Sequence, residues 1–334
     1  LVTTDIAVSD GKIAAAATGE AIDMGRAMVL PCFVDMHTHL DKGHIWPRAA
    51  NPDGTFIGAL NTVAADRATN WSAEDVKTRM RFGLKSAWAH GTRAMRTHLD
   101  AIPPQHEISF PVFRELRDEF AGMVDLQAVC LVACENVGPD THFDAVADIV
   151  AESGGVLGMV TYPIPDLPER LRLYFAMAAG RGLTADFHVD ETMDPGSETL
   201  RQIAEAVIET GFDGKVVAGH CCSLSTQDEA RALDTLDLVA RTGIYVVSLP
   251  MCYLYLQDRG GGTPRRLGVT LVHEMKERGI PVSFASDNTR DPFYAYGDLD
   301  MVEVMRQATR ISHLDHSHPD WPLSFFDIPA KAMG

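Results

Sequence analysis

From Met28 to about residue 310 the chain repeats one pattern: a short apolar or β-branched run, then a longer stretch with helical spacing. The short runs fall at 29–37, 93–98, 126–132, 156–161, 183–188, 215–220, 244–249 and 281–286. Their length and composition predict buried strands. The stretches 73–88, 111–120, 143–151, 168–179, 198–209, 227–241, 269–278 and 298–310 predict helices. Ser72 and Ser225 stand just ahead of acidic residues, as N-caps do. Gly91, Gly155, Gly182, Gly214, Gly243 and Gly279 lie near the ends of such stretches, where a left-handed C-cap is needed. Eight strand-and-helix units in order is the count of a (β/α)8 TIM barrel. A doubly wound sheet would place a Gly-rich phosphate turn after the first strand. The run Gly260-Gly261-Gly262 instead follows the seventh.

Two regions depart from the repeat. Residues 2–30 are short alternating segments, with an Asp10-Gly11 step between apolar runs that signals a hairpin. Residues 1–30 are therefore assigned to a small β subdomain, and 31–320 to the catalytic barrel. The segment 41–70 is long for a βα loop, and such loops shape the active-site face.

Composition narrows the function. The chain has 334 residues, with 29 Lys plus Arg against 46 Asp plus Glu, a net charge of −17. That balance opposes gripping a nucleic-acid backbone or an anionic membrane surface. No apolar stretch approaches the ~20 residues of a membrane span, and no signal peptide is visible at Leu1. The six cysteines follow neither zinc-finger nor thioredoxin spacing, so reduced, buried thiols and a cytoplasmic location are expected. The chain opens mid-pattern without Met, so missing terminal pieces are expected.

In a barrel the chemistry sits where the strands end. The first strand closes on His37 and His39, the second on His98, and the fifth on His188 followed by Glu191. The sixth closes on His220 and the eighth on Asp287 and Asn288. In the first pair, the period of two points both imidazoles one way, toward a shared ion at ~2.1 Å. His188 adds a third nitrogen and Asp287 an oxygen, leaving a coordination position open for water, as in catalytic sites. A bound ion would bring the pKa of that water near neutrality. Glu191 is placed as a general acid. His220 is placed to orient hydroxide or stabilise charge. Each residue alone has a plainer reading: His98 as a core or supporting histidine, Asp287 as a cap. Their joint fall at strand ends favours metal catalysis. His273-Glu274 lacks the second histidine of a metalloprotease helix. His313, His316 and His318 read as a solvated loop. Cys221 and Cys222 are weak candidates for a nucleophile, because activated water is already at hand.

The same motifs resemble the amidohydrolase superfamily, and within it the bacterial cytosine deaminase branch. They comprise 31–42, 188–191, Gly219-His220 and 286–293, with 96–100, 125–127, Leu256-Gln257 and 264–269. The resemblance runs from about residue 5 to the chain end. It implies that His37, His39, His188 and Asp287 hold one divalent ion, iron or zinc. Asp287 would also take a proton from the attacking water, Glu191 would protonate a ring nitrogen, and His220 would steady the hydroxide. It assigns Lys42, His98, Asn288 and Trp46 to substrate binding. Two-metal relatives carry a lysine on strand four; here that strand is Gly158-Met159-Val160-Thr161.

The implied reaction is hydrolytic deamination of a cytosine-like N-heterocycle, and the implied assembly is a homo-oligomer. Two departures bear on the substrate. A carboxamide expected after strand three is replaced by Val132-Ala133-Cys134, and an Asp by Asn288. His39, Lys42 and Asn288 together resemble the branch that cleaves N-alkylamino groups from triazines (the isopropylammelide type). The deaminases acting on nucleic acids carry Pro-Cys-X-X-Cys, absent here; a free small-molecule heterocycle is the expected partner. A barrel that only binds metal or ligand is the reading from another class. It would fit a chain lacking Glu191 or Asp287. Such families complete a β-sandwich from both chain ends, so 321–334 is expected to lead back toward the small β subdomain.

Overall fold

The computed structural model describes residues 3–10, 12–16, 18–139 and 141–334. It has two compact units, Leu1–Pro31 and Cys32–Gly334. In the first, β1 (Ala7–Ser9) and β2 (Lys12–Ala14) pair antiparallel, with Val8 opposite Ile13. This is the hairpin expected at the Asp10-Gly11 step; Gly11 itself lies outside the described residues.

The second unit holds eight further described strands. They are β3 (Phe33–Thr38), β4 (Thr92–Asp100), β5 (Asp125–Leu131), β6 (Leu157–Thr161), β7 (Ala185–Val189), β8 (Val216–His220), β9 (Tyr245–Ser248) and β10 (Val282–Phe284). Each matches one predicted run. They pair in parallel as two ladders, β3-β4-β5 and β6-β7-β8-β9-β10. Parallel bridges from Val129 to Val156 and from Ala133 to Val160 join the ladders on one side. The bridge from Thr38 to Asp287 closes the other. The result is a closed parallel α/β barrel, as the alternation predicts.

The barrel helices are α2 (Ala73–Ala89), α3 (His106–Glu119), α4 (Phe143–Glu152), α5 (Leu167–Arg181), α6 (Thr199–Thr210), α7 (Glu229–Val239), α9 (Val272–Glu277) and α10 (Met301–Ile311). Ser72 caps α2 through its hydroxyl, which accepts from the Asp75 N–H at 3.3 Å. Ser225 does not cap α7: Asp228, three residues closer, accepts from the Arg231 N–H at 3.2 Å. Ser225 ends a 3-10 turn instead.

Three helices have no counterpart in the periodic pattern. The expected loop 41–70 contains α1 (Phe56–Asn70). Its start is built by short polar side chains: Asp53 accepts from the Thr55 N–H, and the Thr55 hydroxyl accepts from the Gly58 N–H. Its buried face is fixed by Asp66, whose carboxylate takes hydrogen bonds from Arg48 and from the Trp71 indole. A helix anchored on a carboxylate leaves little hydrophobic periodicity to read. The second is α8 (Pro250–Leu256), directly after β9. The third is α11 (Asp327–Met333).

Residues 321–334, which the sequence reading led back toward the β subdomain, form a 3-10 turn (Trp321–Phe325) and α11 within the barrel unit. Aromatic packing accounts for it. Phe325 stacks on Phe284 of β10 at 5.3 Å, and Phe326 lies 4.9 Å from Phe33 of β3.

Nearer the N-terminal ends of the strands the interior holds a bonded polar cluster around Arg96. Arg96 is fully buried on β4. Its guanidinium donates to Asp186 Oδ2 at 2.8 Å and twice to Gln127 Oε1 at 3.1 and 2.9 Å. Gln127 in turn donates to the Met333 carbonyl of α11 at 2.8 Å. Of the six cysteines, all free, only Cys32 is exposed. No helix among the described residues is long and apolar enough to cross a membrane.

Candidate metal centre

At the other end of the strands the buried polar groups converge with most of their ligand atoms unpaired. His37 lies in β3, and His39 one residue past its end. His188 lies in β7, with its Nε2 3.2 Å from His39 Nε2. Asp287 follows β10, with Oδ1 3.3 Å from His39 Nε2 and 3.6 Å from His37 Nε2. The ligand atoms of His37, His39, His98 and His188 lie within 4.8 Å of one another, as do those of His37, His220 and Asp287.

The backbone that holds these groups is itself unusual. His220, Cys221 and Asp287 are non-glycine residues at φ of 75°, 55° and 64°. Such conformations persist where the surroundings impose them, commonly at functional sites. Here Asp35 imposes one of them. Its carboxylate accepts from both the N–H (3.0 Å) and the hydroxyl (2.5 Å) of Ser286, while the Asp287 N–H donates to the His37 carbonyl at 2.9 Å. Asp190 is held equally firmly but serves the fold: it accepts from the N–H groups of Thr199 and Leu200 and so anchors the start of α6.

Electrostatics separate the candidates. Burial, then the neighbouring imidazoles, pushes His37 well below the ordinary histidine range. Burial does the same to His39, His188 and His220. All four are neutral, the form a metal requires. Burial raises Asp287 to about 7 in the absence of a cation, and a bound ion reverses that sign. Glu191 is pushed well above the usual carboxyl range by burial and then by Asp287, so it carries its proton. Its Oε1 lies 3.8 Å from His220 Nδ1.

A metal fits this donor set. Both nitrogens of His37 and of His220, Nδ1 of His39 and both oxygens of Asp287 are buried without a hydrogen-bond partner. Leaving that many polar atoms unpaired costs about 1–3 kcal/mol apiece, and a cation would engage several at once. His98 is already bonded: its ring nitrogens meet Asp186 Oδ1 at 3.2 Å and the Thr38 carbonyl at 3.4 Å. Its ring packs 4.0 Å from that of His37. It therefore supports a ligand rather than facing open space.

The remaining residues singled out by sequence lie around this cluster. The Lys42 ammonium is buried and donates to Asp100 Oδ1 at 2.8 Å, while Asp41 Oδ2 accepts from the Asp100 N–H at 2.7 Å. Asn288 donates to Asp291 Oδ2 at 2.7 Å. Trp46 joins the loop after β10 through its N–H, which donates to the Arg290 carbonyl at 2.9 Å. The thiols of Cys221 and Cys222 are pushed well up by burial, which disfavours the thiolate a nucleophile needs. Sequence reasoning missed Asp35 and Tyr253. Asp35 sits two residues before His37 on the same strand face, a position that could have suggested it. Tyr253, its ring 5.3 Å from His220, comes from α8, for which no periodic signal exists.

A closed parallel barrel with neutral imidazoles and a carboxylate clustered at its strand ends defines a metal-dependent hydrolase class. A model of the amidohydrolase family matches residues 138–326. A pterin deaminase from Rhizobium rhizogenes is 55% identical, over 100% of this chain and 78% of that protein. An N-isopropylammelide isopropyl amidohydrolase from Pseudomonas sp. is 24% identical, over 85% of this chain and 69% of its own length. The solved structure of 5-methylcytosine deaminase from Klebsiella pneumoniae, liganded with phosphonocytosine, superposes with a TM-score of 0.86 at 26% identity. That match covers 98% of this chain and 83% of the other. The chain belongs to the amidohydrolase family.

Proposed function

We propose that this protein is a hydrolytic deaminase of a small amino-oxo heterocycle, and that the ring is of the pterin class. The observation that carries the reaction is the set of buried, unpartnered ligand atoms on His37, His39, His220 and Asp287, with His188 Nε2 3.2 Å from His39 Nε2 and protonated Glu191 beside them. The 55% identity to a pterin deaminase over the whole chain supports the ring class. Cytosine and pterin both carry an amino group and an oxo group on a pyrimidine ring, which accounts for a cytosine-like reading of the motifs.

His37, His39, His188 and Asp287 would hold one divalent ion, iron or zinc, which would supply Lewis acidity for making water nucleophilic near neutral pH. The chain's own groups do the rest. Asp287 accepts a proton from the attacking water. Glu191 donates its proton to the ring nitrogen beside the carbon under attack, so that negative charge does not build up on the ring. His220 holds the incoming oxygen, and His98 keeps the His37 ring in place. Lys42, fixed by Asp100, and Asn288, fixed by Asp291, present polar groups to the substrate. Trp46 closes the same side. Water adds at the amino-bearing carbon; Asp287 passes its proton to the amino group, the carbon–nitrogen bond breaks and ammonia leaves, and the proton of the added hydroxyl returns to Glu191 as the oxo group forms.

The test is ammonia release from the metal-loaded protein on a panel of pterin, cytosine, 5-methylcytosine and an N-alkylaminotriazine, with elemental analysis of the same sample. Turnover is expected on pterin with about one ion per chain. Release of an alkylamine from the triazine in preference would transfer the reading to that branch, which Asn288 resembles. No amine from any ring, or undiminished turnover after chelation, overturns the proposal.

A further inference from the structure

Tyr174 and Tyr253 are both fully buried, but their hydroxyls are treated differently. The Tyr174 hydroxyl donates to the Leu157 carbonyl at 2.6 Å, so that phenol serves the packing of α5 on β6. The Tyr253 hydroxyl is buried with no hydrogen-bond partner. The Cys222 thiol lies beside it, but sulfur is a weak acceptor and no hydrogen bond of ordinary geometry joins them. An unpaired buried hydroxyl costs free energy that a phenylalanine of the same shape would not. Groups of this kind call for a use beyond packing, and active sites are where they are kept.

The place of Tyr253 in the fold says what could use it. It stands on α8, which opens on Pro250 directly after β9, the seventh barrel strand. His220 ends the sixth strand and Asp287 follows the eighth, so Tyr253 comes from the position between them. It belongs to a buried cluster with Cys222, Val247 and Leu249, which holds its ring still. That ring lies 5.3 Å from the His220 ring. Both His220 nitrogens are unpaired as well, so the two side chains are neighbours that do not bond each other. Burial, then Cys222, Glu191 and Asp287, pushes the phenol well above the ordinary tyrosine range. It keeps its proton and enters any reaction here as a hydrogen-bond donor.

We propose that Tyr253 is a further catalytic residue, whose hydroxyl donates a hydrogen bond to the oxygen that water adds to the ring carbon. The inference rests on the ring-deaminase reading and adds a group to it. The bond counts most as ammonia leaves. The carbon–nitrogen pair departs with the amine, the added hydroxyl gives its proton to Glu191, and the O–H pair becomes the second carbon–oxygen bond. Negative charge rises on that oxygen as its proton goes, and a fixed donor aimed at it lowers the barrier. Tyr253 keeps its own proton throughout. His220 holds the oxygen as it arrives, and Tyr253 holds it as the oxo group forms.

The experiment compares Tyr253→Phe with Tyr174→Phe, each of which deletes one buried hydroxyl and keeps the ring. Both variants and the wild type are loaded with metal and assayed for ammonia release, on pterin or on whichever ring of the panel the wild type turns over best. Metal content and the urea midpoint are measured on the same samples. Tyr253→Phe should lower kcat by about 10²- to 10³-fold, with KM within about twofold and metal content intact. Its urea midpoint should stay the same or rise, because no hydrogen bond is lost. Tyr174→Phe should do the opposite: a lower midpoint, with kcat within about twofold. An unchanged kcat in Tyr253→Phe overturns the assignment while the deaminase reading stands, and a fallen midpoint beside it would make Tyr253 structural. A raised KM at unchanged kcat overturns it too, because the hydroxyl would then serve ground-state binding. Lost metal overturns it by making Tyr253 a support of the ligands. If the wild type releases no ammonia from any ring, the deaminase reading falls and takes this assignment with it.

Discussion

The side-chain polar atoms of Arg96, Asp186 and Gln127 have all found partners. The guanidinium is shared between Asp186 and Gln127, and Gln127 reaches the last carbonyls of α11. Around His37, a few residues further along the same strands, seven ring-nitrogen and carboxylate atoms of four residues have none. Both clusters are buried, and both are made of groups that are costly to desolvate. The difference is completeness. A closed network needs nothing more and stabilises one arrangement of the core. An open one stores unsatisfied valence that an ion and a substrate can use. Asp186 touches both, through Arg96 and His98, so the finished network braces the unfinished one.

The contrast yields four measurable expectations, in descending size. His188→Ala should lose the ion and lower turnover by at least about 10⁴-fold, since water is no longer activated. Inductively coupled plasma analysis beside an ammonia assay checks this. In urea unfolding, saturating ion should raise the unfolding free energy of the wild type by about 4 kcal/mol at a thousandfold excess over Kd, and leave that of His188→Ala nearly unchanged. Full metal content in the variant would break the contrast.

Arg96→Met should cost about 3–5 kcal/mol in urea unfolding, because Asp186 is left as a buried, uncompensated charge. The surviving folded fraction should still take up the ion. A loss below about 1 kcal/mol would mean that the lower cluster is not the brace described here.

Glu191→Gln keeps the shape and removes the proton donor. It should reduce kcat by about 10²- to 10⁴-fold with metal content intact. A parallel fall in metal content would move Glu191 into the ligand set. The smallest effect is expected from Asp186→Asn, which loosens His98 behind His37. Metal affinity should fall about 10- to 100-fold by chelator competition, with kcat largely recovered at saturating ion. A kcat that stays low at saturation would place Asp186 in the chemistry itself.

The strand ends were legible because two regularities coincide there. A buried parallel strand announces itself as a short apolar run, and its ending is marked by the first polar residue after it. His37, His39, His188, His220 and Asp287 therefore stand out without coordinates. What binds them in space was not legible. Asp35 and Ser286 meet across the whole length of the chain, as do Lys42 and Asp100 across a shorter span, and no local pattern encodes either contact. The helix α1 escaped because its inner face is organised by Asp66 rather than by apolar side chains. The chain end escaped for another reason: Trp321, Phe325 and Phe326 are apolar enough for a strand or a helix, and only the aromatic surface of Phe33 and Phe284 decides which.

The bridge from Thr38 to Asp287 joins the first barrel strand to the segment after the last. The proposed ligands for the ion stand on both sides of that seam. During synthesis, His37 and His39 emerge early and wait without their carboxylate until nearly the whole barrel has been made. On the proposed ligand set, a nascent or truncated chain lacks part of the site, and the ion would act as a clasp that closes on a finished cylinder. On that set, a barrel that has not met itself end to end cannot complete the site, and has no means of taking an amino group off a ring.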